Sequence, residues 1–175
     1  CSKEKRCKWI QQSESSKGIF GAMNDGFFSS NSEEWLLFWG SDDWAATSDV
    51  FERFIGILTK IKLDLPDLIV CKGRYVKSSN NTLRRKTAFL SRSENILLSS
   101  KIFRRILFWG STPPHQATFF GPGSQYKLNK YSEEFRLASD LDFFLKLSES
   151  KDLQVLNIDL ELVHLSDAGV SGTQT

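Results

Sequence analysis

Hydrophobic and polar positions along the chain fall into alternating helical and extended patterns. Lys8 to Ser13, "KWIQQS", has the look of a short strand. In "KGIFGAMNDGFF" the apolar residues Ile19, Ala22, Met23 and Phe27 recur at steps of three and four, which predicts a helix with those residues on one face. Leu36 to Trp39 is an unbroken apolar run, preceded by Glu33 and Glu34 and ended by Gly40 and Ser41; it predicts a strand buried on both faces. Val50, Phe51, Phe54, Ile57, Leu58 and Ile61 form the stripe of the firmest helix, with Ser48 or Asp49 as its cap and Pro66 beyond its end. "DLIVCKGRYVKS" predicts a strand that turns at Lys72 and Gly73, followed by a loop with "SNN" at its tip. Further on, Leu98 to Leu107 predicts a helix, "HQATFF" a strand, and Gly121 to Gly123 a turn. "DLDFFLKL" is then a helix with Leu141, Phe144 and Leu147 inward, and "LQVLNIDLELVHL" a final strand. "FWGS" occurs at Phe38 to Ser41 and again at Phe108 to Ser111, as two similar strand exits. Strands alternating with helices imply an α/β fold around a mainly parallel sheet.

Composition changes this picture little. The 175 residues include 14 Phe and 5 Trp, enough for the core of one domain. Lys and Arg number 23 against 21 Asp and Glu, so the net charge of +2 gives no field that argues for nucleic acid. Two local basic runs, "LRRK" (Leu83 to Lys86) and "KIFRR" (Lys101 to Arg105), read as solvated faces or as contacts to phosphates or an anionic membrane surface. Cys1, Cys7 and Cys71 show neither metal-ligand spacing nor an even count for a disulfide framework, which suits a reducing compartment. No apolar segment reaches the roughly 18 residues of a membrane span. The opening "CSKEKRCKWIQQSE" has no start signal of its own, which points to a chain that begins partway through a longer protein.

Candidate chemistry begins where the run Leu36–Trp39 meets Asp42 and Asp43. In open α/β sheets ligands bind at the carboxyl ends of strands, so these two acids are placed to handle one. A second carboxylate group, "ASDLD", holds Asp140 and Asp142 at the start of the helix carrying Phe144. Ser139 and Asp140 suit a helix cap, and Asp142 a partner of the helix dipole. His115 follows two prolines, a stiff turn that serves a pocket wall or a structural corner equally well. His164, in an apolar strand, reads as a satisfied core histidine.

Four segments, "SESSKGIFGAMNDGFFSSNSEEWLLFWGSDDW", "PHQATFF", "YSEEFRLASDLDFFLKL" and "LVHLSDAGVS", come in the order of landmarks of the family 2 glycosyltransferases, in the branch with a "GIYDAMNKGI" type segment. The chain resembles that family from about Lys8 to Ser171. The resemblance implies a single GT-A type domain and a nucleotide-sugar donor, with UDP by family habit, together with Mg²⁺ or Mn²⁺. It further implies Asp43 as metal ligand, Asp42 at the ribose or supporting the metal site, and Asp140 as the base that deprotonates the acceptor hydroxyl. His115 and Gln116 would stand beside donor sugar and acceptor, and Asn24 near the nucleotide. Departures are Gly40 and Gly21 where relatives often carry acids, Ser15 or Ser16 for a further Asp, and Ser139 where many have Glu.

The function so implied is that of a cytoplasmic inverting enzyme that moves a sugar to a hydroxyl of a saccharide or lipid-linked saccharide. Assembly of cell-envelope polysaccharide, at the inner face of the membrane, would be its setting. A catalytically silent carbohydrate- or nucleotide-binding module is the rival, and a two-carboxylate glycoside hydrolase a further one. Family members begin with nucleoside-binding βα units that this sequence does not contain. The chain is therefore expected to bind UDP with Mn²⁺ no tighter than millimolar, and to leave Trp9 and the strand Trp35–Trp39 poorly covered.

Overall fold

A computed structural model describes residues 8–15, 18–61, 65–77, 79–87, 89–90, 95–128, 130–132, 134–135 and 138–167. In chain order it forms helix α1 (Gly18–Ser29), strand β1 (Trp44–Ala45), α2 (Val50–Leu58), β2 (Leu68–Lys77), β3 (Thr82–Lys86), β4 (Ile96–Ser99), α3 (Ser100–Phe108), a 3-10 turn (His115–Ala117), β5 (Thr118–Phe120), α4 (Pro122–Lys127), α5 (Ser139–Leu147) and β6 (Gln154–Ser166).

The fold is α/β with a mixed six-stranded sheet and flanking helices. This corrects the expectation of a mainly parallel sheet. Among the described residues one pair, β2 and β6, runs parallel; β1 and β4 pair antiparallel with β6, and β3 and β5 antiparallel with β2. A parallel neighbour needs a long crossover, which the stretch between β2 and β6 supplies. β3 instead returns through a tight hairpin whose Asn81 takes φ 54°, at the "SNN" tip that the sequence marks.

The predicted turn at Lys72 and Gly73 is absent. β2 runs straight on to Lys77, and its pairing with β6 shifts register at those residues, a bulge rather than a reversal. Lys8–Ser13 is no strand either: it is exposed, with Trp9 at 80%, and no ladder partner stands beside it among the described residues. Leu36–Trp39 falls between expectation and outcome. Its side chains alternate, Leu36 and Phe38 packing on one core and Leu37 and Trp39 on the other, yet among the described residues its pairing is a single bridge from Leu36 to Phe120. None of the five residues from Trp35 to Trp39 is fully buried. The second "FWGS" is not a strand exit. Gly110 takes φ 81°, its N–H donates to Leu107 O and that of Ser111 to Ile106 O, which closes the C-terminus of α3.

Alternate residues of β2 feed two cores. Leu68 and Val70 join Met23, Phe27, Phe103, Phe120, Phe143, Phe144 and Leu147 on the side of α1, α3 and α5. Ile69 and Cys71 join Val50, Phe54, Phe119 and Ile158 on the side of α2. Phe51, placed on the α2 stripe by the sequence, is 45% exposed and tilts against the Trp39 ring at 5.9 Å.

Candidate functional site

The parallel pair β2 and β6 ends at one cavity of about 1010 Å³, where Tyr75, Leu165 and Ser166 meet the chain at 38–43, at 112–116 and at the start of α5. Asp42, Asp43, His115, Gln116 and Asp140 all line it, so five of the six site residues expected from sequence converge.

Asp43 is half-buried at the turn after Leu36–Trp39. The Gly40 N–H donates to its Oδ2 at 2.9 Å, and its own N–H donates to Gly40 O at 3.3 Å. A Cβ at Gly40 would stand 3.0 Å from Asp42 Oδ1 and 3.1 Å from Asp43 Oδ2. The glycine therefore makes room for two carboxylates that fold back over the backbone, where an acidic side chain would crowd and repel them. Burial, which outweighs the Gly40 and Ser166 amides and the His115 charge, pushes the Asp43 carboxyl above its ordinary pKa, with the neighbouring Asp42 adding to the rise.

Asp140 arrives from the first turn of α5, and its Oδ2 lies 2.9 Å from His115 Nδ1. The stiff "PPHQ" corner holds that ring. Ala117 N–H and Thr118 Oγ1 donate to Pro114 O at 3.0 and 2.8 Å, while Trp39 Nε1 donates to Gln116 O at 2.8 Å. Ser139 does not cap the helix; its hydroxyl donates to Ser132 O at 2.6 Å and fixes the incoming chain. Asp142 pairs with Lys146 one turn on, at 2.8 Å. Asp140 Oδ1 is buried yet has no hydrogen-bond partner among the described residues, an acceptor left unused.

Asn24 does not line the cavity. Its amide binds the backbone of Tyr131, accepting from the N–H at 2.6 Å and donating to the carbonyl at 3.0 Å, and so anchors a ring stacked on Phe143 at 4.3 Å. Burial, with the Asp140 charge second, keeps the Tyr131 phenol well above its ordinary pKa and therefore neutral. His164 is satisfied, as read from sequence: Nε2 lies 3.1 Å from Glu161 Oε1 and Trp44 meets the ring edge-on.

Tyr75, Arg85, Lys86 and Thr87 also line the cavity, which the sequence pattern does not predict. The signal existed in "LRRK", but only the pairing of β3 with β2 turns that run toward the cavity. Arg85 sits over the Tyr75 ring at 5.3 Å, and Lys86 Nζ lies 3.8 Å from Glu161. Among the described residues no three His, Cys, Asp or Glu side chains gather as a self-sufficient metal cage. Comparison of the sequence with protein-family models and with curated proteins finds no match.

Proposed function

We propose that this chain is a GT-A type, inverting glycosyltransferase of the family 2 kind, acting in the cytoplasm on a nucleotide-sugar donor, UDP-linked by family habit. The observation that carries the reading is the meeting of Asp42 and Asp43 with Asp140, about a hundred residues on, at the carboxyl ends of β2 and β6. The acceptor is a hydroxyl of a saccharide or lipid-linked saccharide.

Asp140 is the base. His115 holds Oδ2 at 2.9 Å and fixes the carboxylate, whose partly open edge on the cavity takes the proton of the acceptor hydroxyl. The acceptor oxygen then forms its bond to the anomeric carbon as the bond to the diphosphate breaks on the opposite face. The paired carboxylates suit a small hard cation that draws its remaining ligands from phosphate and water, with Asp43 holding it and Asp42 beside it. Mg²⁺ or Mn²⁺, when bound, offsets the charge on the departing diphosphate.

The test is release of nucleoside diphosphate from a panel of nucleotide sugars by the natural protein that contains these residues. Asp140→Asn should lower turnover about a hundredfold or more with donor binding nearly unchanged. Asp43→Ala should abolish Mn²⁺-dependent donor binding while the circular dichroism stays native. Donor binding without turnover in the parent would instead support the silent module.

A further inference from the structure

Helix α3 turns one face to the core, and among the described residues the other stands exposed. Phe103, Ile106 and Leu107 are buried; Lys101, Ile102, Arg105, Phe108 and Trp109 form one outward stripe at steps of three and four. Phe108 is 67% and Trp109 75% exposed, and Ile102 is 48% exposed. Two adjacent aromatic side chains standing that far into water mark a surface made to be covered.

Charge says by what. The helix carries no Asp or Glu, and among the described residues neither Lys101 nor Arg105 has a carboxylate partner. Arg105 instead lies over the Trp109 ring at 5.3 Å, and Arg104 over Phe108 at 5.4 Å. Arg104 is tied to the body of the protein, donating to Leu145 O and Ser148 Oγ, with Glu149 at 3.8 Å. A second copy would fit poorly, because a two-fold contact sets Lys101 and Arg105 against their own kind.

We propose that this face docks on an anionic lipid bilayer, with Phe108 and Trp109 entering the headgroup boundary and Lys101 and Arg105 lying over lipid phosphates. The stripe runs straight into the cavity rim, since Gly110, Thr112, Pro113 and Pro114 line it, so docking brings the cavity mouth beside the membrane. The proposal does not rest on the transferase reading.

Co-sedimentation with phosphatidylcholine vesicles, with and without about one-third phosphatidylglycerol, tests it. The protein should pellet with the anionic vesicles and not with the neutral ones, and raised salt should release it. Phe108→Ala/Trp109→Ala and Lys101→Glu/Arg105→Glu should each weaken binding about tenfold or more with circular dichroism unchanged. Absence of binding to anionic vesicles, binding equal to that of neutral ones, or unaltered binding by both double variants overturns the proposal. So does a dimer in sedimentation velocity, or binding of an oligouridylate, that the same variants abolish.

Discussion

At the scale of single residues, Glu161 gathers a charged cluster at the edge of the cavity. Glu161 accepts from Arg74 Nε at 2.8 Å and Nη2 at 2.7 Å, a two-pronged charge-assisted pair, with His164 at 3.1 Å and Lys86 at 3.8 Å. The Arg74 hydrogen bonds, foremost, hold the Glu161 carboxyl below its ordinary pKa of 4.5. A carboxyl whose pKa is lowered by folding adds stability above its unfolded pKa, and that stability is lost as pH falls through the folded value. Arg74→Met should therefore lower stability by about 1–2 kcal/mol at neutral pH, since the pair is partly solvated. The gap between variant and parent should close as pH falls below 4.5. Urea unfolding at a series of pH values measures it; a gap that stays constant down to strong acid would remove Glu161 from the account.

At the scale of elements, what could be read in the sequence was what periodicity alone decides. The stripe of α2, the helix containing Phe144 and Leu147, and the apolar run of β6 all stand where the pattern puts them. Leu36–Trp39 could not be settled that way. A run apolar on both sides fits any doubly covered segment, and how many neighbours pair with it depends on strands far away in sequence. The site divides on the same line. Asp42, Asp43, His115, Gln116 and Asp140 converge because each sits at an element boundary that the pattern marks, whereas Arg85 and Lys86 reach the cavity only through the pairing of β3 with β2.

"GPG" shows the limit most sharply. The pattern predicts a turn there, and the structure places Gly121 before α4 with Pro122 at its first position. Asp67 Oδ1 would lie 1.7 Å from a Cβ on Gly123. That carboxylate binds Lys127 Nζ at 2.8 Å and the Gln154 N–H at 2.8 Å, so it joins the start of β6 to α4. Gly123→Ala must displace it and should cost about 2–4 kcal/mol. Gly56→Ala, on α2 with nothing within 4 Å, should instead leave stability unchanged or raise it by about 0.5–1 kcal/mol. Urea midpoints of the two variants decide whether close approach to Asp67, rather than loss of glycine as such, is what Gly123 provides.

At the scale of the whole molecule, two cores lie on either side of β2 and β6, and Cys71 reports on their integrity. Its side chain is buried in the core that holds Val50, Phe54 and Ile158, on a strand whose residues pair with β6, β3 and β5. Burial alone pushes its thiol far above the ordinary range, so no thiolate forms in the folded state at neutral pH. Reaction with a thiol reagent must then wait for an opening that lifts β2 from its neighbours or strips one core away. Because β2 contributes to both cores through alternate residues, that opening should be the global one. In a Cys1→Ser/Cys7→Ser variant, Cys71 should resist an aromatic disulfide reagent while the fold is intact. The free energy of opening from labelling rates, taken where closing outpaces reaction, should match that of urea unfolding. Labelling that is fast in the native state, or that has an opening energy well below the global value, would mean that the α2 side comes away from the sheet by itself and that the two cores do not unfold as one.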